Sequence, residues 1–188
     1  MAPWARGVFL AAAWVLLFSA GASGATLAEL LEIGCAPGAP AAFYATPEVC
    51  GMETATVRLT WDGGELELEV LVADEPLERY AGYQLVGKEF IAGSAMLFVF
   101  ESPQAGAFHM CNVLAPLEIA WFRPDGGLLD ARLMTPGPVA NPAVCPALFS
   151  PRAFGRYQFA LELPGGFFER LGVGPEALGT LRLTVEER

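Results

Sequence analysis

The chain has 188 residues, 54% of them apolar, and carries 21 acidic against 11 basic side chains, a formal net charge of −10. Such an acidic surface repels phosphate, so we expect neither nucleic acid nor an anionic membrane surface among its partners. The length suits one domain with a sizeable core. We expect a monomer with no cofactor and no metal site.

The first 25 residues have the order of a secretory signal peptide. Arg6 precedes an apolar run over residues 7–18, and small residues fill 19–25, with Ala22 and Gly24 spaced as at a cleavage site. We therefore predict export to the periplasm or the extracellular space, with no membrane association after cleavage. An uncleaved anchor is the alternative, because residues 7–28 carry no charge, although the apolar run is short for a membrane span.

Four cysteines in an exported chain indicate two disulfide bonds. Three pairings are possible. Cys35 and Cys50 bracket a loop rich in Pro, Ala and Gly, and we predict that they close it, which leaves Cys111 with Cys145. Residues 26–54 then form a disulfide-stapled lead-in to a β-rich domain over 55–188. The chain has no Cys-x-x-Cys motif, which disfavours thioredoxin-like chemistry and a cysteine-rich zinc site.

Helix signals are few and short. Thr26 and Glu29 predict a capping box for a helix that ends near Gly34. A second helix is expected to begin at residues 75–76, with Leu77, Tyr80, Ala81 and Gln84 on one face. One or two helical turns follow at 167–171.

Strand signals dominate the rest of the chain. Alternation of apolar and polar residues, or short apolar runs, predicts strands over 56–61, 65–72, 96–100, 108–113, 117–122, 128–134, 157–163 and 181–185. Residues 62–64 are a hairpin turn, and 135–155 form a long Pro-rich loop. We predict a mainly β fold, a compact antiparallel β-sandwich or barrel with two or three short helices.

Residues 96–122 hold dense apolar runs and the only histidine of the chain. On a strand over 108–113, Phe108, Met110 and Asn112 share one face, while His109, Cys111 and Val113 share the other. Phe108 and Met110 suit a core. His109 is then expected to point away from the core, towards the loop around Cys145.

Three pieces of this stretch, residues 95–100 (AMLFVF), 108–113 (FHMCNV) and 116–121 (PLEIAW), resemble the signature of the DUF192 (UPF0127) family. Upstream, Arg79 and Gly82 are similar to a family Arg-x-x-Gly pattern. The resemblance implies a compact β-rich domain and no particular reaction, because the function of the family is unknown. Two positions depart from the signature: His109 stands where the family has Trp, and Cys111 where it has Lys.

The sequence shows no catalytic constellation. The favoured hypothesis is a non-catalytic exported domain that binds a small ligand or a partner protein through the surface around residues 108–112. Its candidate binding residues are His109, Asn112, Glu118 and Arg79. Asn112 can instead serve as a clamp for backbone groups, and Arg79 as a surface or ion-pair residue.

Two alternatives remain open. Copper handling is one, because His109, Met110 and Cys111 are all side chains that copper accepts, although neighbours on a strand point to opposite faces. A hydrolase that uses Glu118, Asp130 or Glu162 as acid and base is the other. That chemistry requires two carboxylates to converge on one cleft.

Overall fold

The structure, a computed structural model, describes residues 24–137 and 152–186. Its strands are β1 (Glu53–Trp61), β2 (Gly64–Ala73), β3 (Met96–Gln104), β4 (Leu117–Phe122), β5 (Leu128–Met134), β6 (Tyr157–Pro164) and β7 (Arg182–Val185). Its helices are α1 (Leu27–Gly34), α2 (Pro47–Gly51), α3 (Pro76–Ala81), α4 (Lys88–Gly93), α5 (Phe167–Arg170) and α6 (Pro175–Leu178). None of the helices in these ranges has the length and apolar character needed to cross a membrane.

The seven strands form one sheet in the order β5-β4-β6-β3-β2-β1-β7. Neighbouring strands are antiparallel except β2 and β3, which run parallel and are connected through α3 and α4. The two ends of the sheet meet, since Leu128 N donates to Leu181 O over 3.0 Å and Leu183 N donates to Gly126 O over 2.8 Å. The sheet thus curls into a barrel that is closed at this contact. The predicted mainly β fold is confirmed.

Both faces of the sheet are apolar. The enclosed face carries residues from all parts of the barrel, among them Val57, Leu97 and Leu161. The outer face, with Met96 and Ile119, is covered by side chains of the helices and the lead-in. This two-sided burial explains why residues 96–100 are apolar without interruption.

Local signals specify the lead-in helix and the first hairpin. Glu29 N donates to Thr26 Oγ1 over 3.3 Å, and Thr26 N donates to Glu29 Oε2 over 2.8 Å, so the predicted capping box is present. Gly63 has φ 104° in the turn between β1 and β2, a conformation that suits glycine. These two elements follow directly from short sequence motifs.

The predicted strand over residues 108–113 is wrong. The segment 105–116 is irregular, and its strand-like contact is an isolated bridge between Ala107 and Arg152. The physical reason is topological: β3 and β6 each already pair with a strand on both sides, so no edge is free there. The predicted alternation fails with it, because Met110, Cys111 and Val113 are all buried.

The predicted apolar face of the second helix is also wrong. Helix α3 ends at Ala81, and Leu77 and Tyr80 are 76% and 73% exposed. Gly82 follows with φ 47° and turns the chain, so that Tyr83, 1% exposed, becomes the aromatic anchor of this region. The helix is therefore attached to the barrel through Arg79 and through the residues that follow it, and not through Leu77 and Tyr80.

The predicted disulfide bond between Cys35 and Cys50 is confirmed, with a Cα–Cα distance of 5.8 Å. It links the end of α1 to α2. The second predicted pair, Cys111–Cys145, stays a prediction, because Cys145 lies outside the described residues, as does most of the long Pro-rich loop.

Replacing both Cys35 and Cys50 by serine should lower the free energy of unfolding by about 3 kcal/mol, the chain-entropy value for a loop of this size. The two cysteines are 15 residues apart, so the bond mainly restricts the unfolded chain. Equilibrium urea unfolding measures the change, with the exposed Ala36→Ser as the control that should leave stability as it is. A double variant as stable as the control would contradict the prediction.

Candidate functional site

A pocket of about 200 Å³ opens on the outer face of the sheet, between α3, residues 82–84, β3 and residues 104–109. We refer to it as the Glu162 pocket, after the acidic residue in its wall. Aromatic residues are the largest group among its other side chains. The lining residues are Arg79, Tyr80, Ala81, Gly82, Tyr83, Gln84, Phe98, Phe100, Gln104, Gly106, Ala107, Phe108, His109, Val113, Tyr157 and Glu162.

Glu162 places a carboxyl group in an apolar setting. It lies on β6 opposite Ile119 and Met96, on the outer face of the sheet, and is 4% exposed. Among the described residues, no hydrogen bond to its side chain is found. Loss of solvent raises the pKa of Glu162 to about 8, so the carboxyl is mostly protonated at neutral pH.

Tyr83 interacts electrostatically with Glu162. Burial raises the pKa of Tyr83, with a further contribution from the charge of Glu162. The phenol is 3.0 Å from Ser94 Oγ, which itself donates to Phe90 O over 2.8 Å. Tyr83 is therefore a neutral, fixed part of the wall.

His109 lies half-buried in the segment opposite α3. Its Nδ1 atom is buried and has no hydrogen-bond partner in the described part of the chain. Burial lowers the pKa of His109, so the imidazole is neutral at physiological pH and can either donate or accept a hydrogen bond. The histidine lines the pocket together with Phe108, from an irregular segment instead of a strand, and its role in binding stays a prediction.

Arg79 brings a positive charge to the same pocket. Its Nη1 atom donates to the backbone carbonyl of Asp74 and, over 3.1 Å, to that of Val99. The guanidinium lies 5.3 Å from the centre of the Phe100 ring. Among the described residues no carboxylate forms an ion pair with this guanidinium, so its charge remains available to a ligand.

Packing and two hydrogen bonds position the segment that carries His109. The ring of Phe108 lies 5.0 Å from that of Phe98 in an edge-to-face contact. Tyr157 Oη donates to Gly106 O over 3.0 Å and accepts from Gln104 Nε2 over 2.9 Å. Burial raises the pKa of Tyr157 to about 12, so it also stays neutral.

Asn112 is a backbone clamp at the rim of the pocket. It has φ 60°, a left-handed conformation that Asn tolerates, and its carbonyl accepts from Leu85 N over 2.8 Å. Its side-chain amide donates to Gln84 Oε1 over 3.4 Å. Asn112 therefore ties the 105–116 segment to the residues after α3, and it does not line the pocket.

Glu118 lies elsewhere. It is opposite Leu163 on β6 and so faces the other side of the sheet from Glu162. Its Oε2 atom accepts from Phe168 N over 2.9 Å at the start of α5, beside an open groove of about 510 Å³. Of the four candidate binding residues, the structure brings only Arg79 and His109 into one pocket.

The geometry does not favour the two alternatives. Glu118 and Glu162 point to opposite faces of the sheet, and Asp130 is bound to Arg132 at 2.9 Å, so the three carboxylates do not converge on one cleft. In the ranges 24–137 and 152–186, no group of three or more His, Cys, Asp or Glu side chains is arranged to hold a metal ion. Copper handling through His109 thus gains no ligand cluster there.

The family comparison agrees with the sequence signature. The model of the DUF192 family, described as uncharacterised ACR, COG1430, matches residues 57–178. The chain belongs to the DUF192 family. No curated protein matches it.

Two crystal structures from bacteria share the DUF192 chain's fold. One, from Sinorhizobium meliloti 1021, is of a protein proposed to be a transcription regulator. It is 24% identical to this chain with a TM-score of 0.57, and the match covers 71% of this chain and 95% of that chain. The other is a protein of unknown function from Novosphingobium aromaticivorans DSM 12444: 22% identity, TM-score 0.56, with 74% and 91% covered. At this level of identity the similarity concerns the fold.

The pieces of the DUF192 signature meet at the Glu162 pocket. Arg79 and Gly82, Phe98 and Phe100, and Phe108 with His109 come from three separate stretches and line the same cavity. The sequence pattern did not single out Tyr83, Gln104 or Tyr157, and it named Glu162 only as a candidate acid or base of the hydrolase alternative. One feature of the sequence could have indicated that Glu162 is unusual: it is a single acidic residue between Leu161 and Leu163 in an apolar strand.

Proposed function

We propose that this protein is an exported, non-catalytic domain that binds a small molecule in the Glu162 pocket. The observation that supports this most is the Glu162 carboxyl, which is 4% exposed, has no hydrogen bond found among the described residues and lines a cavity that also has several aromatic side chains. A buried polar group without a partner costs about 1–3 kcal/mol. A ligand that bonds to it recovers that energy.

The composition of the pocket supports binding of a small molecule over a protein partner. Aromatic walls with a few convergent polar groups are typical of small-molecule sites, and about 200 Å³ suits a ligand of modest size. The unpaired Nδ1 of His109 adds a second group that a ligand could satisfy. We further propose that the protein acts as a monomer and does not bind nucleic acid, because of its net charge of −10.

The proposal is tested by screening the purified, isotope-labelled protein against a library of small polar and aromatic fragments by NMR. Binding fragments should shift the amide signals of Gly82, Gln104 and Gly106. Fragments that bind only at the groove beside Phe168, or a screen without any binder, would contradict the proposed function.

His109→Ala should abolish capture of the fragments that bind at the pocket, while the melting temperature stays within about 4 °C, the shift expected for at most 1 kcal/mol. The reason is that Nδ1 makes no hydrogen bond within the described residues, so its loss costs the fold little. Leu114→Ala, at an exposed position of the same segment, is the control that should retain binding. A His109 variant that unfolds readily but binds when cooled would show that the histidine is structural.

Export is the second part of the proposal. The order of charge, apolar run and small residues at the N-terminus supports it, and the Cys35–Cys50 bond suits an oxidising compartment. We expect the mature chain to begin between Ser23 and Thr26. Intact-mass measurement of the exported protein checks this, and a mass that retains residues 1–18 would mean an anchor instead.

A further inference from the structure

We infer that the ligand of the Glu162 pocket is a small amphoteric molecule, with an amine that binds Glu162 and a carboxylate that binds Arg79. The inference rests on the proposed function and names the class of ligand. It is carried by the two charged side chains among the described lining residues, Arg79 and Glu162, which have opposite signs and lie next to different residues of β3, at what we call the two ends of the site.

The separation between Arg79 and Glu162 is estimated along β3. The guanidinium of Arg79 bonds to the carbonyl of Val99, and Glu162 is paired with Met96 on the same strand. Three residues of a strand span about 10 Å. Phe98 lies between them on the same face as Met96, so an apolar surface connects the two ends.

The Glu162 end suits an amine. At pH 7 about a tenth of the carboxyl is ionised, because burial raises its pKa to about 8, so a cation that needs the ionised form loses only about tenfold in affinity. The neighbouring rings of Phe98, Tyr83 and Phe108 offer faces and edges that also attract a cation. The ionised acid and the ammonium then form a charge-assisted hydrogen bond in a site shielded from water.

The Arg79 end suits a carboxylate. The hydrogen bonds found for Arg79 go from one nitrogen, Nη1, to two backbone carbonyls. Its other N–H groups can therefore bind a carboxylate through two parallel hydrogen bonds. The guanidinium also lies over the ring of Phe100, which restricts its position. A carboxylate at this end matches both the charge and the shape of the guanidinium.

The other groups of the pocket lining whose pKa values are shifted do not change this balance of charge. Tyr83, from the residues after α3, and Tyr157, from β6, are neutral phenols because burial raises the pKa of each. His109 is a neutral imidazole because burial lowers its pKa. It can bond to either end of a ligand without adding charge.

Isothermal titration calorimetry of the purified protein at pH 8 tests the inference with 3-aminopropanoate, 4-aminobutanoate and 5-aminopentanoate. Pentylamine and pentanoate are the matched probes that carry one charge each. We expect at least one of the amino acids to bind tenfold or more tightly than both single-charge probes. Its affinity should fall about fivefold from pH 8 to pH 7 and about tenfold for each further unit, because the proton on Glu162 must leave.

Two variants separate the ends of the site. Glu162→Gln should weaken the amino acid and pentylamine by tenfold or more and leave pentanoate unchanged, whereas Arg79→Gln should weaken the amino acid and pentanoate and leave pentylamine unchanged. Circular dichroism confirms that both variants are folded.

The outcomes distinguish the inference from the proposed function. Pentanoate that binds as tightly as 5-aminopentanoate, and more tightly as the pH falls, would show that Glu162 serves as a neutral donor and would overturn the inference alone. The same holds if none of the five probes binds while other fragments shift the pocket signals. If no fragment of any class binds the pocket, the proposed function itself fails.

Discussion

Glu162→Gln should be more stable than the wild type at pH 8. The difference in unfolding free energy between the two proteins should be up to about 5 kcal/mol larger at pH 8 than at pH 4.5. Burial raises the pKa of Glu162 from 4.5 to about 8. The unfolded chain therefore releases this proton near pH 4.5, whereas the folded chain retains it to about pH 8. Between these values stability falls by about 1.4 kcal/mol for each pH unit, and glutamine removes that loss.

Urea unfolding of the wild type and the variant at pH 5, 6.5 and 8 measures the effect. The difference between the two proteins, and not either curve alone, isolates Glu162 from other titrating groups. Glu69→Gln, at an exposed position of β2, is the matched control, and its difference from the wild type should not change with pH in this way. A Glu162→Gln difference that is the same at all three pH values would show that the carboxyl is better solvated than its burial indicates.

A residue that costs stability at neutral pH indicates a functional reason for its presence. A leucine in place of Glu162 would continue the apolar pattern of β6, whose neighbours Leu161 and Leu163 are fully buried. Functional sites are where a sequence departs from the rules of its own fold. The stability prediction and the binding proposal thus concern the same carboxyl by independent measurements.

The elements that the sequence predicted well are those with short-range causes. The capping box of Thr26 and Glu29 and the Asp62-Gly63 turn depend on neighbours within four residues. The alternation in β2 gives one buried row and one row of glutamates, as the pattern requires. For these elements the local preference and the final structure agree.

The segment around His109 could not be predicted because its conformation depends on the whole sheet. Residues 108–113 have strand-like alternation, but β3 and β6 are paired on both edges, which local sequence does not reveal. The carbonyl of Met110 accepts instead from Gly137 N over 3.0 Å, and that of Asn112 from Leu85 N. The predicted location of a binding surface at His109 stays a prediction, and the residues that share its pocket emerge only from the fold.

Gly126→Ala should destabilise the protein by roughly 3–4 kcal/mol, because it opens the contact that closes the barrel. Gly126 has φ 78°, and its carbonyl accepts from Leu183 N over 2.8 Å. A Cβ atom at this position would lie 2.2 Å from Leu183 O, an atom of the backbone that cannot move without shifting β7. The alanine methyl group therefore has two costs: the strain of a left-handed conformation, and the displacement of β7.

Gly172→Ala is the matched control, since Gly172 has φ 70° but a Cβ atom there would meet nothing within 4 Å. It should cost only the strain of the left-handed conformation, about 1–2 kcal/mol. Urea unfolding gives both values, and hydrogen exchange at the amides of Leu128 and Leu183 should show faster opening in Gly126→Ala alone. Equal losses in the two variants would mean that the meeting of β5 and β7 contributes nothing beyond the turn, and that the sheet behaves as an open one.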